Sequence, residues 1–261
     1  MSPWSLKRKA TYIGAFALMV VVVVGIILAQ VLKRTPTCFD GVQNGDEQGI
    51  DCGGSCARIC EGGARSLVPL WERPFLITDN VYSVVAYFEN QNAQAGIRRI
   101  PYRFRIYDAQ NILISEQTGS TFIGPNQRSA IFETGIQAGS RIPSLVFFEF
   151  LERPVWERVD AVWSTPRIIV KNRNLDLSGS TPRLSATLAN TALVPLFDIH
   201  AVALLYDAAG NAVYASQTRI DRIAEQGEVP VVFTWPVPFD TTIARIEIIP
   251  RIDLFSPRNT R

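Results

Sequence analysis

Histidine is almost absent from this sequence, since His200 is the only one among 261 residues. Catalysis by a Ser-His-Asp or Cys-His group would have to run through it. His200 lies in the apolar run 197–202, where a histidine more often packs than reacts. A glycine-rich phosphate loop, an H-E-x-x-H motif and a nucleophile elbow are also missing, although carboxylate-only chemistry has no comparable signature. We therefore predict that the protein is not an enzyme.

A strong excess of positive charge is missing as well. The chain has 26 basic and 24 acidic residues. Five basic residues flank an N-terminal apolar run, and 26 less these five leaves 21 basic against 24 acidic residues elsewhere. Proteins that bind nucleic acid need clustered Lys and Arg to replace the counterions of phosphates, so we expect no nucleic-acid partner. The five flanking residues are Lys7, Arg8, Lys9, Lys33 and Arg34.

One long uncharged run, residues 12–32, stands near the N-terminus. At about 1.5 Å per residue, its helix would cross the roughly 30 Å hydrocarbon layer of a membrane. A cleaved signal peptide is the alternative, but it has a shorter apolar stretch and a small-residue cleavage site, which residues 29–34 lack. More basic residues precede the run than follow it, which favours a cytoplasmic N-terminus, residues 1–11. We predict a single-pass protein of the cell membrane with its remainder outside the cytoplasm.

All four cysteines fall in one short segment with the spacing C-x13-C-x3-C-x3-C. An even number packed just beyond a membrane helix predicts two disulfides that close a small module, residues 36–62, with three pairings open. A zinc site with four thiolates is the alternative, although its cysteines usually come as paired C-x2-C units. The residues are Cys38, Cys52, Cys56 and Cys60.

Oxygen-bearing side chains recur between the first two cysteines, with glycines interleaved. Part of the pattern matches an EF-hand calcium loop, but Val42 stands where a third-position ligand is needed and no flanking helices are evident. The alternative is a set of ordinary turns in which short polar side chains cap their own backbone. Calcium is the one cofactor that the sequence suggests. Its candidate ligands are Asp40, Asn44, Asp46, Glu47 and Asp51.

The whole segment 38–60 resembles the C-x-D-G-x-x-N-G-x-E-x-G-x-D-C-G-G-x-C-x3-C segments of many bacterial secreted and surface proteins. This resemblance implies an extracytoplasmic module and assigns it no activity.

After Cys60 the chain consists of short runs rich in Val, Ile, Phe, Tyr and Thr, separated by Gly, Pro, Asn and Asp, which is typical of strands and turns. In the run 101–107, Tyr102, Phe104 and Ile106 alternate with arginines, which predicts one buried and one solvated face. Other strands are predicted at 81–89, 129–133 and 145–150.

The β region contains an internal repeat of about one hundred residues, the size of one β-sandwich. Residues 104–118 align with 203–218, 82–90 with 183–190, and the motif 71–74 with 163–166. Asp108 and Asp207 fall in equivalent hairpin turns, reversed by Asn111 and Gly210, so we predict turn capping and not a catalytic pair. The expected fold is an all-β ectodomain of two tandem Ig/fibronectin-like β-sandwiches, 65–155 and 163–255, with a tail, 256–261.

Both copies resemble the FxLYD family of small extracytoplasmic sandwiches, which is similar in character to fibronectin type III folds. In the first copy the signature is 104–108, and in the second it is 188–190, 202–207, Gly210, 227–228 and 231–235. The resemblance implies a fold and an extracytoplasmic location, and no catalytic residues transfer.

These observations predict a non-enzymatic, membrane-anchored structural or interaction protein of a bacterial-type cell envelope, whose sandwiches bind a protein or cell-surface partner. An alternative is a calcium- or glycan-binding surface module that uses residues 38–60. A weaker alternative is a subunit of an envelope assembly or secretion apparatus.

Overall fold

The computed structural model of the chain describes residues 3–32, 36–163, 165 and 167–259. Lys33, Arg34 and Pro166, which entered the predictions above, lie outside the described residues. Among the described residues there is one α-helix, α1, which spans Pro3–Leu32. Its stretch Lys9–Ala29 has a mean hydropathy of 2.8, and its side chains are exposed. The helix is therefore long and apolar enough to cross a membrane, a property that it shares with signal sequences.

The chain divides into two compact units, one up to Gly54 and one from Ser55 onward. The second unit contains two pairs of β-sheets. In the first pair, the sheets have the strand orders β1-β2-β5 and β4-β3-β6. Their strands are β1 Val68–Thr78, β2 Val81–Asn90, β3 Ala95–Tyr107, β4 Leu113–Ile123, β5 Gln127–Gln137 and β6 Leu145–Phe150.

A two-residue strand, β7 Glu157–Arg158, pairs with the start of β3, and a 3-10 turn, Ala161–Trp163, leads to the second sheet pair. This pair has the orders β12-β9-β8 and β11-β10-β13, which is the strand order of the first pair. The strands are β8 Ile168–Asp176, β9 Arg183–Asn190, β10 Leu196–Tyr206, β11 Ala212–Ile223, β12 Glu228–Thr234 and β13 Arg245–Arg251.

Each sheet pair encloses its own apolar core. The first core is built on the inward residues of both sheets, with Phe104 fully buried at its centre, and the second is built around Leu205 and Phe233. The predicted alternation in β3 is confirmed, because Tyr102 and Phe104 are buried while the arginines between and after them are only half-buried. Burying one such aromatic side chain contributes about 1.5–3 kcal/mol.

A third apolar cluster joins the two sheet pairs. It combines Val85 and Tyr87 of β2 with Val202 and Leu204 of β10, all of them buried. Strands β2 and β10 are therefore covered on both faces, which explains why their central stretches, 84–88 and 201–205, are continuously apolar and do not alternate. One outer face of each sheet pair is consequently not available for binding.

Polar side chains cross this junction as well. Tyr87 donates a hydrogen bond of 2.6 Å to Glu247, which also accepts one from Tyr206 at 3.0 Å. Burial and, to a smaller extent, the nearby Glu247 carboxylate raise the pKa of Tyr206 to about 12. Arg251 of β13 donates to the carbonyl of Ala130, to the Thr121 hydroxyl and to the carbonyl of Phe122. Burial lowers the pKa of Arg251 to about 10, so it still carries its charge at neutral pH.

The predicted turn chemistry is confirmed in both sheet pairs. Asp108 accepts backbone hydrogen bonds from Gln110 and Ile112, and Asp207 accepts one from Asn211. The reversing residues have positive φ, 59° at Asn111 and 83° at Gly210. The bond from the Ile112 amide, together with Arg141, keeps the pKa of the Asp108 carboxyl below its usual value. These aspartates are turn residues of separate sheet pairs.

A second equivalence involves a buried asparagine at the end of β2 and of β9. The Asn90 amide donates to the carbonyls of Ala95 and Gly124, and that of Asn190 donates to Val194 and Ala224. Each therefore ties the end of the loop that follows it to a second loop, between β4 and β5 in the first sheet pair and between β11 and β12 in the second.

The proposed match between the motifs 71–74 and 163–166 is wrong. Trp71 lies inside β1, opposite Tyr87 of β2, whereas Trp163 ends the 3-10 turn before β8 has begun. The first residue of β8, Ile168, lies opposite Asn190, as Val68 of β1 lies opposite Glu89. The tryptophan match is therefore a coincidence of sequence, since register places Trp163 ahead of the repeated strand.

Candidate functional site

The four cysteines of the segment 38–60 are all disulfide-bonded, so none is free. Cys52 and Cys56 are also buried. This confirms two disulfides, and it rules out the alternative in which four free thiolates bind zinc. Disulfides of this kind persist in oxidising compartments, and each typically stabilises a small module by about 2–4 kcal/mol.

Four of the five candidate calcium ligands are linked through hydrogen bonds of their own loop. The Asp51 carboxylate accepts the backbone N–H groups of Asp40, at 3.0 Å, and Gly41, at 3.1 Å. Glu47 Oε2 accepts those of Asn44 and Asp51, each at 3.3 Å. These are the contacts that the turn interpretation predicts, because the side chains satisfy the backbone of tight turns.

Asp40 and Asn44 are also joined directly, since the Asn44 amide donates to Asp40 Oδ2 at 2.9 Å. Asp46 is exposed. The side-chain oxygen of Asn44, Oδ1, is buried and accepts no hydrogen bond from any described residue. Calcium binding therefore remains a prediction with one orphaned acceptor in its favour.

A large opening in the described part of the chain lies between the edge strands β1 and β6 of the first sheet pair. It has a volume of about 770 Å³. Its apolar wall includes Phe88, Phe148 and Phe150, which also contact the first core. The ring centroids of Phe148 and Phe150 are 4.9 Å apart, and those of Phe88 and Phe150 are 5.8 Å apart, both edge to face. We call this opening the β1/β6 groove; its volume falls in the range of about 300–1,000 Å³ that is usual for binding sites.

One part of the groove wall is a short ribbon made by the end of the cysteine-rich segment. The Ile59 N–H donates to the Trp156 carbonyl at 2.9 Å, and the Arg158 N–H donates to the Ala57 carbonyl at 2.6 Å. Arg58 forms a bridge with Glu157 of β7. Residues 57–59 thus act as a short strand that extends the sheet of β3 and β7.

The charges along the groove are mostly paired. Glu61 pairs with Arg153 at 3.2 Å, and Glu149 pairs with Arg103 at 2.8 Å. Glu72 is different, because its side chain has no hydrogen bond or ion pair with any described residue.

Register shows where Glu72 faces. It lies opposite Ala86, a member of the first core, so its side chain faces the interior of the sheet pair. Partial burial raises the pKa of the Glu72 carboxyl above its usual value. The groove therefore presents one inward carboxylate that is partly desolvated and unpaired.

His200 is half-buried on β10, where its ring nitrogens lie 3.3 Å from Gln217 and 3.3 Å from Asp198. Burial lowers the pKa of His200, so the ring is neutral at pH 7. The prediction that the protein is not an enzyme stays a prediction.

The groove was not predicted from the sequence. Residues 145–150 were predicted to form a strand and residues 71–74 to belong to the repeat, but the approach of β1 to β6 is a long-range contact without a local signature. The usable signal was the charged pair Glu72 and Arg73 in a strand that is mostly apolar, because charged residues inside such a strand mark a sheet edge or a site. No protein-family model matches this chain, and no curated protein is significantly similar to it.

Proposed function

We propose that this chain is a single-pass membrane protein whose extracytoplasmic β region binds a protein partner through the β1/β6 groove, without catalysis. The observation that carries the proposal is the groove itself, an opening in an aromatic core that holds an unpaired carboxylate. Openings of this kind mark binding sites, since a monomer gains nothing by leaving aromatic core surface accessible.

The membrane location is supported by two independent features. The helix α1 is long and apolar enough to span the bilayer, and two disulfides follow it within residues 38–60. Disulfides persist outside the cytoplasm, so the β region belongs on that side and residues 1–11 on the cytoplasmic side.

We further propose that the sheet pairs are tandem Ig/fibronectin-like sandwiches, residues 65–155 and 163–255. Their identical strand order, their paired aspartate turns and their equivalent residues Asn90 and Asn190 support this assignment. Their third, shared core favours a single rigid body that holds the groove in place, because the joined faces leave little freedom for domain motion.

The side of the membrane is tested by thiol labelling of intact cells with an impermeant reagent. We expect labelling only after a reductant is added from outside. Labelling that requires lysis of the cells would place the cysteines in the cytoplasm and overturn the proposal.

The groove is tested by a photo-crosslinking residue placed in the full chain in intact membranes. Position Val155, which lines the groove and is half-exposed, is compared with Ile169 on β8, which is equally exposed. We expect a protein adduct from position 155 and none from position 169. Failure to capture any protein from either position, with normal expression, contradicts the proposed function.

Calcium binding by residues 38–54 is a second candidate function, favoured by the buried and unpaired Asn44 Oδ1. An orphaned buried acceptor costs about 1–3 kcal/mol, which a cation would recover. Calcium should then slow proteolysis within this segment, and Asn44→Ala should abolish the protection. Equal cleavage rates with calcium and with a chelator would contradict calcium binding and leave backbone capping in turns as the role of these side chains.

A further inference from the structure

We propose that the β1/β6 groove accepts an extended segment of the partner protein, which pairs as a strand with β6 and places a Lys or Arg side chain against Glu72. This inference rests on the proposed function, because it specifies the partner's chemistry at the same groove. Strand addition to an open sheet edge is a general mode of protein recognition in which backbone hydrogen bonds supply affinity and side-chain pockets supply specificity.

The two edge strands differ in their capacity to pair. Strand β6 pairs with β3 on one side, and no described strand pairs with its other side. Strand β1 contains Pro69 and Pro74, which have no backbone N–H to donate. An entering strand therefore finds regular donors and acceptors on β6 only.

The chain already adds a strand of its own to this edge. Strands β6 and β7 both pair with β3, and residues 57–59 lie on the outer side of β7. The site beside β6 is the continuation of the line that residues 57–59 begin. The backbone geometry for strand addition is thus present in the folded protein, and no rearrangement of β3 is required.

The groove also fits the side chains of a strand. A six-residue strand is about 20 Å long, and every second side chain faces the same way, so about three would enter beside β6. They would meet Phe148 and Phe150, whose rings extend from the core to the groove wall. Apolar side chains at these positions would complete the core that the groove leaves open.

Glu72 selects among such strands by charge. An entering strand removes water from its carboxylate, which is costly unless an opposite charge accompanies it. A strand with a Lys or Arg at the facing position provides that charge, whereas a purely apolar strand leaves the carboxylate buried and unpaired. Inward-facing charges also protect sheet edges from indiscriminate pairing, so Glu72 excludes wrong strands for the same physical reason.

The test uses the full chain in detergent micelles and two acetylated octapeptides of alternating Val and Thr. One peptide carries Lys in place of a single Val, and the other carries Glu there. We expect the Lys peptide to bind about tenfold more tightly, and to slow hydrogen exchange of the β6 amides. Glu72→Lys should reverse the preference, while Glu225→Lys, the same charge change at an exposed site of the second sheet pair, should preserve it.

Backbone pairing is tested separately with a Lys peptide that is N-methylated at alternate residues, which removes its donors on one side. We expect at least about a tenfold loss of affinity. Equal binding of the methylated peptide, equal binding of the Lys and Glu peptides, or no binding at about 1 mM overturns the inference.

Crosslinking from position 155 distinguishes a failure of strand addition from a failure of the proposed function. A captured partner protein with no peptide binding overturns strand addition and leaves the proposed function standing. Adducts to lipid or to a second copy of this chain, in place of another protein, overturn the choice of occupant.

Discussion

The two sheet pairs share one strand order, yet they differ at the edge where their first and last strands meet. In the second pair, Arg173 of β8 reaches across and donates to the Ile246 carbonyl of β13 at 3.1 Å. In the first pair, no described β1 side chain makes a hydrogen bond to β6, and the β1/β6 groove occupies that place. A smaller opening of about 500 Å³, lined in part by Arg173, Leu175 and Ile246, lies at the second edge as well. Both edges are therefore open, and the second differs in having an arginine side chain that bridges its two strands.

The last strands of the two sheet pairs, β6 and β13, also differ in how well they could pair with an added strand. Strand β6 has the sequence LVFFEF, with aromatic side chains and no proline, whereas β13 has charged ends and a proline, Pro250. A proline and an occupied carbonyl make β13 a poor acceptor for an added strand. Binding is therefore expected in the first sheet pair, while the second serves as its support.

The largest expected effect on stability comes from removing one buried aromatic ring from either core. Phe104→Ala and Phe233→Ala each remove a fully buried ring and should lower the free energy of unfolding by about 3–5 kcal/mol. Because the third cluster joins the sheet pairs, both variants should unfold in one transition, measured by urea titration of the full chain. Two separated transitions in the unsubstituted protein would show that the pairs are independent. Leu193→Ala, at a side chain that is 81% exposed, is the control and should change little.

Arg251→Met tests the junction between the sheet pairs with a smaller effect. The variant leaves the carbonyls of Ala130 and Phe122 without their Arg251 donors, which should cost about 1–3 kcal/mol. Removing a buried charge offsets part of that cost, since Arg251 has no ion-pair partner among the described residues. Urea titration of Arg251→Met should show a lower midpoint. The midpoint of Arg251→Lys should lie between that of the Met variant and that of the unsubstituted chain, because an ammonium group cannot reproduce the forked donors of a guanidinium. An unchanged midpoint in the Met variant would mean that the apolar cluster alone holds the junction.

Local features of this fold were predictable, and its long-range contacts were not. Alternation located the buried face of β3, and the Asp-turn pattern located the hairpins at Asp108 and Asp207, because both depend on residues close in sequence. The third cluster was hidden, since a strand covered on both faces, such as β2, reads only as an apolar run. The groove was hidden for a different reason, because β1 and β6 lie far apart in the chain.

Arg173→Ala would remove the side chain that bridges β8 and β13 at the second edge. It removes one side-chain hydrogen bond at an exposed site, so the expected loss of stability is about 0.5–1.5 kcal/mol. Hydrogen exchange should become faster at the edge of β13 and remain unchanged at β6. Arg222→Ala, which removes an exposed arginine elsewhere in the same sheet pair, is the matched control. Equal exchange in the two variants would show that the Arg173 hydrogen bond does not protect the edge of β13.

The smallest effect concerns the pH dependence of the unpaired carboxylate. Burial raises the pKa of Glu72 in the folded protein above its ordinary value of 4.5, so the folded state holds this proton more tightly than the unfolded state. Its contribution to stability is therefore greatest at low pH and declines as the pH rises through the folded-state pKa. Glu72→Gln should abolish this decline. Near pH 7 it should raise the free energy of unfolding, measured by urea titration, by less than about 1 kcal/mol.

Glu149 provides the opposite case within the same groove. Arg103 and Arg105 lower the pKa of its carboxyl, so its contribution is present above the unfolded-state pKa and is lost as the pH falls. Urea midpoints measured across the acidic range should consequently shift in opposite directions for Glu72→Gln and Glu149→Gln, relative to the unsubstituted chain. If both variants shift the same way, Glu72 is paired in solution, and the groove lacks the unpaired charge that separates it from the second edge.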